Sequence, residues 1–595
     1  MRNRKKDEGN YDAVISRKEN EFYMNYTNRK NLFNDGWEFA LTAPDTTYEE
    51  AHAAKLDYKP VDIPHDWLIY DSDELYKSGC GFYRKYIDIT DINTADYILY
   101  FDGVYMDSTL YVNGKNVCSW TYGYSSFQAD ISAYLEEGRN CIELRVNYVS
   151  PNSRWYSGAG IYRNVYLYRL SAVHLNIDGI YISADAESGD VYVNTETSGY
   201  GGNMPDLEIV HTVIGPDGNT AAQCRTDLKW SCVETTLHAD NIKLWSLEER
   251  NLYTLRTELI VKMDGTVLDS SDDIFGFRSA VFDPDEGFIL NGKHIKLKGV
   301  CLHHDLGCLG SAVNYSALER QLLLMKEMGA NSVRTSHNMP APELIEICDR
   351  IGLLVNCESF DMWELPKTDF DNARFFRETA HRDVMSWVKR DRNHPSVILW
   401  SIGNEIYDTH VNEHGYEIAE MLKNYVREFD YKCNAGVTIG SNFIEWENSQ
   451  KIGEMLGISG YNYTERCYDA HHKKYPNTVI YGSETSSAVR SRGIYHFPAD
   501  VPQLTHDDHQ CSSLANSTVG WGKPAETAWI EDRDRKFCAG QYVWTGIDYI
   551  GEPTPYSTRN SYFGMADTCC LPKDIYYFYP VSYTHLRAHE TVLDL

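Results

Sequence analysis

The chain has 595 residues and a formal net charge of -30, with 43% hydrophobic and 13% aromatic content. That length exceeds one hydrophobic core and calls for roughly three or four domains, while the acidic balance argues against nucleic acid or an anionic membrane as partner. No apolar run approaches the ~18–20 residues of a membrane span, the basic start Met1-Arg2-Asn3-Arg4-Lys5-Lys6 lacks the apolar stretch of a secretory signal, and the 15 Cys are scattered as expected of reduced thiols in a cytoplasmic protein.

Residues 1–25 are charged and aperiodic, so a disordered extension is expected there, with Met24 as the true start. Residues 26–171 read as strands. Tyr97-Ile98-Leu99-Tyr100-Phe101 is one, and Thr109-Leu110-Tyr111-Val112 runs into Asn113-Gly114, a strong two-residue hairpin signal. Ile142-Glu143-Leu144-Arg145-Val146 alternates with period two. Without a long helix, this stretch predicts a jelly-roll sandwich. Residues 172–279 are again strand-like, with Tyr253-Thr254-Leu255 as a strand and Gly215-Pro216-Asp217-Gly218-Asn219 as a turn. A length of about 100 residues suits an immunoglobulin-like sandwich.

Residues 280–580 alternate strand and helix. Ile295-Lys296-Leu297-Lys298-Gly299-Val300 predicts a strand, and Ser316-Ala317-Leu318-Glu319 reads as a capping box opening a helix that Gly329 closes. Ser332-Val333-Arg334-Thr335 is the next strand, Pro342 opens another helix, and Leu353-Leu354-Val355-Asn356-Cys357 follows as a strand. Apolar runs at Val397, Val437, Ile458, Val479 and Gln541 bring the strands to eight, which predicts a (β/α)8 barrel.

Two of these runs end in a carboxylate. Val397-Ile398-Leu399-Trp400-Ser401-Ile402-Gly403-Asn404-Glu405 closes strand four, and Val479-Ile480-Tyr481-Gly482-Ser483-Glu484 closes strand seven. The C-terminal rim of a barrel is where its chemistry sits. Strands four and seven face each other there, and a retaining glycosidase needs two carboxyls roughly 5–5.5 Å apart, one to attack and one to protonate. Two like charges in one pocket resist joint ionisation, and the proton is expected on Glu405. The 44 Tyr suit β-sheets and also surfaces that stack on sugars.

Trp400-Ser401-Ile402-Gly403-Asn404-Glu405 resembles the acid/base signature of glycoside hydrolase family 2, the family of β-galactosidases, β-glucuronidases and β-mannosidases. The resemblance spans about Asn31 to Tyr579, in the order jelly roll, immunoglobulin-like domain, barrel. It implies Glu405 as acid/base, Glu484 as nucleophile and Asn404 as the holder of the sugar 2-hydroxyl. Val333-Arg334-Thr335-Ser336-His337-Asn338 resembles the strand-two segment with a sugar-binding His, here His337, beside which Arg334 is placed to steady a carboxylate. Lys298-Gly299-Val300-Cys301-Leu302-His303-His304 resembles strand one and implies a contact from His303. Gly460-Tyr461-Asn462-Tyr463 resembles the end of strand six, whose Tyr, here Tyr463, bonds the nucleophile. Trp544 is implied to stack on sugar, and Asp66, in Pro64-His65-Asp66-Trp67, matches a jelly-roll loop that reaches the pocket in some relatives.

Departures from the pattern narrow the reading. Where some family β-galactosidases bind magnesium, the segment is Cys357-Glu358-Ser359-Phe360-Asp361; Phe360 stands in place of a His, so no metal or other cofactor is expected. Arg154 stands where several relatives carry a substrate-binding Asp, so sugar selection by that loop must differ. The Asn-x-Lys that holds the carboxylate in β-glucuronidases is missing from Tyr556-Ser557-Thr558-Arg559-Asn560-Ser561-Tyr562-Phe563, which favours a neutral sugar. Gly482-Ser483-Glu484-Thr485-Ser486-Ser487-Ala488-Val489, with Tyr495-His496-Phe497-Pro498 following, and Ile547-Asp548-Tyr549-Ile550-Gly551-Glu552-Pro553-Thr554-Pro555-Tyr556 are most similar to bacterial β-galactosidases. The expected activity is cleavage of terminal β-D-galactosides, with another neutral β-glycosidase (β-mannosidase or β-fucosidase) or a non-catalytic carbohydrate-binding protein as alternatives. A homo-oligomer is open for a full-length form. The resemblance stops after Tyr579. Residues 581–595 read as a translated adaptor, and Pro580 is expected to cut the last barrel helix short.

Overall fold

The computed structural model describes residues 29–584 apart from 93, 200–205, 500, 502 and 515–516. The expected N-terminal extension, Met24 and residues 585–595 of the tail lie outside the described residues.

Residues 30–170 form a jelly roll of two antiparallel sheets. Its six-stranded sheet centres on Gly79–Ile89 paired with Gly138–Tyr148, and the four-stranded sheet on Asp96–Phe101 paired with Val165–Leu170. The hairpin Ser108–Val112 and Lys115–Trp120 turns at Asn113-Gly114, both with positive φ, as a type I′ turn requires. One short helix, Tyr48–Ala54, escaped the sequence reading. Its capping box is built by Thr47 and Glu50.

The second unit is an immunoglobulin-like sandwich. Strands His174–Ala184, Asp190–Ser198 and Cys232–His238 face the sheet of Thr220–Asp227, Leu207–Ile214, Tyr253–Val261 and Val267–Phe275. The turn at Gly215–Asn219 joins two of these strands as expected.

Eight parallel strands then close into a barrel: Leu297–Leu302, Ser332–Thr335, Leu354–Glu358, Val397–Asn404, Gly436–Ser441, Ile458–Asn462, Val479–Ser486 and Cys538–Trp544. Closure is explicit, since Gly299 of strand one pairs with Tyr542 of strand eight. Parallel strands covered on both faces read as continuous apolar runs, which is why all eight were visible in the sequence. The first barrel helix, Tyr315–Glu327, corrects one detail. Its N-cap is Asn314, whose side chain accepts from Ala317 N–H at 3.0 Å, so Ser316 lies inside the helix and its capping box does not form. The last helix corrects another. A 3-10 turn at Asp574–Tyr577 leads into helix Phe578–Thr584, and Pro580 falls in that helix's first turn. A proline is tolerated there because the N–H it lacks would have had no intrahelical partner.

The jelly roll packs on the barrel mouth through one continuous apolar core that includes Trp37, Phe101, Leu297, Val333 and Trp400. Buried Arg163 donates to Met339 O at 2.7 Å and Pro340 O at 3.1 Å, and the Tyr122 hydroxyl donates to Ser359 O. This docking carries the jelly-roll loop around Arg154 over the C-terminal ends of the barrel strands.

Candidate active site

Glu405 and Glu484 open into the same cleft at the barrel mouth, a space of about 890 Å³ also lined by His337, Tyr463 and Trp544. Glu405 leaves strand four with φ of 47°, a left-handed conformation costly for a residue with a Cβ. Its N–H is tied to Gly440 O at 2.8 Å. Tyr463 turns off strand six with φ of 56°, and its N–H donates to Glu484 O at 2.9 Å. Both side chains are thus aimed by backbone that neighbouring strands hold in place.

Donors converge on Glu484. Arg334 Nη1 donates to Oε1 at 2.8 Å and the Tyr463 hydroxyl to Oε2 at 2.9 Å, while His337 Nε2 lies 3.5 Å from Oε1. Beneath them, Arg334 Nη2 donates to both oxygens of Glu358, at 2.9 and 2.8 Å, and to Asn404 Oδ1 at 2.8 Å. Glu358 also faces His337 Nδ1 at 2.7 Å and accepts from Ser401 Oγ at 2.7 Å. Asn462 Nδ2 donates to Glu405 Oε1 at 3.0 Å and to Asn404 Oδ1 at 3.1 Å. Trp544 stacks on His337 with centroids 5.2 Å apart and 2° between planes.

The charge distribution differs from the sequence-based expectation. Burial pushes the Glu484 carboxyl up to about 8; the Arg334 guanidinium pulls against it and the nearby Glu405 charge adds to it. The raised proton affinity is that of Glu484, whereas the sequence reading placed the proton on Glu405. The reason is desolvation, since the side chain of Glu484 is only 4% exposed.

The structure sorts the residues singled out from sequence. Glu405, Glu484, His337, Tyr463 and Trp544 line the cleft. Arg334 and Asn404 are fully buried behind it and position the carboxylates, so neither forms part of the wall expected to touch sugar. His303 lies one layer down, 4.0 Å from the ring of Tyr549, and burial holds its pKa well below the usual histidine range. Asp66 is displaced from the site altogether. It accepts from Tyr156, Ala159, Leu68 and Ser311 and clamps the jelly roll to the loop after strand one, which leaves it no lone pair for a sugar. Phe360 packs against Tyr122 and Phe376, and Glu358 spends both oxygens on protein donors. That segment does not fit a magnesium site, which needs several free oxygen ligands.

Further residues complete the cleft, among them Arg154, which the sequence marked only as a departure from the family pattern. Arg154 lines the cleft and forks onto Asp361, with Nε 2.9 Å from Oδ2 and Nη2 2.6 Å from Oδ1. Buried Lys367 donates to the same Asp361 at 2.8 Å and to Asn404 O at 2.9 Å. Glu552 and Tyr549 line the wall after strand eight. Trp521, 59% exposed, stands on the loop after strand seven, which Lys523 anchors through Ser486 O and Glu465.

Known proteins agree with this architecture. Residues 33–171 match the sugar-binding domain model of glycosyl hydrolases family 2, residues 175–278 the family 2 model, and residues 283–445 its TIM barrel domain. A β-galactosidase of Bacteroides ovatus is 35% identical over 94% of this chain and 73% of its own length. A putative β-glucuronidase of Formosa agariphila is 31% identical over 94% of this chain and 56% of its own. Among solved structures, a β-glycosidase from Bacteroides vulgatus superposes with a TM-score of 0.81 at 29% identity, covering 93% of this chain and 75% of the other. A β-glucuronidase from Bacteroides uniformis gives 0.76 at 25% identity, with 93% and 69% covered. With this fold, these paired glutamates at the barrel mouth and these relatives, the chain belongs to glycoside hydrolase family 2 and is a glycosidase.

Proposed function

We propose that the protein is a retaining exo-β-galactosidase, with Glu484 as nucleophile and Glu405 as acid/base. The observation that carries the choice of a neutral sugar is the pairing of every cation along the described cleft wall. Arg154 is matched by Asp361, Glu405 and Glu552, Arg466 by Glu445, and Lys523 by Glu465. A uronic acid needs a cation whose charge is not already matched by protein carboxylates, and relatives named as β-glucuronidases leave that question open. Galactose in particular is supported by the similarity to the β-galactosidase of Bacteroides ovatus.

In this reading a carboxylate oxygen of Glu484 attacks the anomeric carbon. As the bond to the leaving oxygen breaks, Glu405 gives that oxygen its proton, and the glycosyl-Glu484 ester forms. Arg334 and Tyr463 hold Glu484 as its charge is taken up and later returned. Glu405, now ionised and steadied by Asn462, takes a proton from water, whose oxygen attacks the same carbon and frees Glu484. Glu484 attacks as its carboxylate, which burial makes harder to form and the Arg334 guanidinium makes easier. A panel of 4-nitrophenyl β-glycosides tests the reading. The β-galactoside should give the highest kcat/KM, and a preference for the glucuronide, mannoside or fucoside refutes it.

A further inference from the structure

The jelly-roll loop and the loop after strand eight are joined by backbone. Trp155 and Gly551 form an antiparallel β-bridge, and Tyr156 N–H donates to Ile550 O at 3.0 Å. In an antiparallel pair, the residue before one member lies opposite the residue after the other. The bridge therefore sets Arg154 opposite Glu552. Gly551 has φ of 89°, and a Cβ there would stand 2.6 Å from Tyr156 N and 2.7 Å from the Tyr76 hydroxyl, so the close approach requires glycine.

Part of each side chain is left over for a ligand. Arg154 commits Nε and Nη2 to Asp361. Its Nη1 lies 3.4 Å from Glu552 Oε1 and 3.8 Å from Glu405 Oε2, in ion-pair range but without a hydrogen bond to a described residue. Glu552 Oε2 accepts from the Tyr549 hydroxyl at 2.7 Å, which orients the carboxylate and leaves Oε1 facing Arg154. Double displacement uses two carboxyls, and Glu552 is a third in the same cleft. A sugar hydroxyl is at once acceptor and donor, so it fits between a guanidinium N–H and a carboxylate oxygen.

We propose that Arg154 Nη1 and Glu552 Oε1 together bind one hydroxyl of the sugar, at C3, C4 or C6, and that this pair determines glycone specificity. The proposal rests on the cleft being a neutral-glycoside site, which the Arg154 ion pairs also favour. The test compares kcat/KM of wild type, Glu552→Gln and Arg154→Lys on aryl β-galactoside and on its 3-deoxy, 4-epimeric and 6-deoxy analogues. Loss of a charge-assisted hydrogen bond should cost the galactoside about ten- to a hundredfold. The analogue lacking or inverting the bound hydroxyl should change less than about threefold, so that one selectivity ratio collapses, and the same ratio in both variants. Thermal midpoints report whether each variant folds, and either variant alone suffices for the ratio. A uniform fall on all four substrates, no fall, or collapse of different ratios in the two variants overturns the proposal. If wild type prefers another glycoside, the galactoside reading fails, and the same comparison on that glycoside and its deoxy analogues still decides the role of the pair.

Discussion

Replacing Arg334 with methionine removes the guanidinium that joins Glu358, Asn404 and Glu484. All of its donors sit in a fully buried side chain, 2.8 to 3.1 Å from the two carboxylates. Removing one partner of a buried ion pair costs about 3–5 kcal/mol, because the other charge is stranded. A barrel unit of roughly 300 residues unfolds with an entropy near 0.6 kcal/mol/K, so the thermal midpoint should fall by about 5–8 °C. The pH dependence is the sharper test. Burial already raises the carboxyls of Glu358 and Glu484, and Arg334 opposes both shifts. A carboxyl whose folded pKa is raised contributes stability that is complete below its unfolded pKa and is lost as pH rises through the folded value. Without Arg334 both shifts grow, so the deficit of the variant should be large at pH 8.5 and shrink at pH 5.5, where the stranded carboxyls take up protons. Scanning calorimetry of both proteins at one scan rate reads this directly. A drop under 2 °C, or an equal drop at both pH values, would refute the view that this cluster is one electrostatic unit.

Three further outcomes follow from the same geometry. Glu484 must ionise to attack, and burial pushes its carboxyl up to about 8, so the acid limb of kcat/KM should lie well above the ordinary carboxylate range; an acid limb within that range would contradict the shift. Glu405→Gln removes a like charge, so inactivation by a 2-fluoro glycoside with an activated leaving group should retain its rate to lower pH than in wild type, and an unchanged pH midpoint would sink that coupling. Chelation followed by magnesium titration should leave activity unchanged, since Glu358 is saturated by Arg334, His337 and Ser401; loss and recovery of activity that Glu358→Gln abolishes would show a metal site.

What was legible in the sequence is what leaves a local pattern. The barrel strands are apolar runs, two of them ending in a carboxylate, and Tyr463 was identifiable from the resemblance of Gly460-Tyr461-Asn462-Tyr463 to the family's strand six. Cap choice was less legible, since Asn314 and Ser316 are both good N-cap residues and only the position of Ala317 N–H distinguishes them. Arg154 was marked as a departure from the family pattern, but its network of partners was not legible. Its partners Asp361, Glu405 and Glu552 lie far along the chain, and nothing periodic marks a contact made by docking one domain on another. Asp66 failed for the opposite reason: a loop motif marked it as a ligand for sugar, whereas the folded chain surrounds it with its own donors.

The central claim is that Glu484 carries the glycosyl group during turnover. The most direct measurement is to trap that ester with a 2-deoxy-2-fluoro-β-galactosyl reagent and map it by mass spectrometry of the proteolysed protein. The label should appear once per chain, on the peptide containing Ser483-Glu484-Thr485, and should vanish in Glu484→Gln. A label on any other residue, or turnover with inversion at the anomeric carbon, would contradict the account.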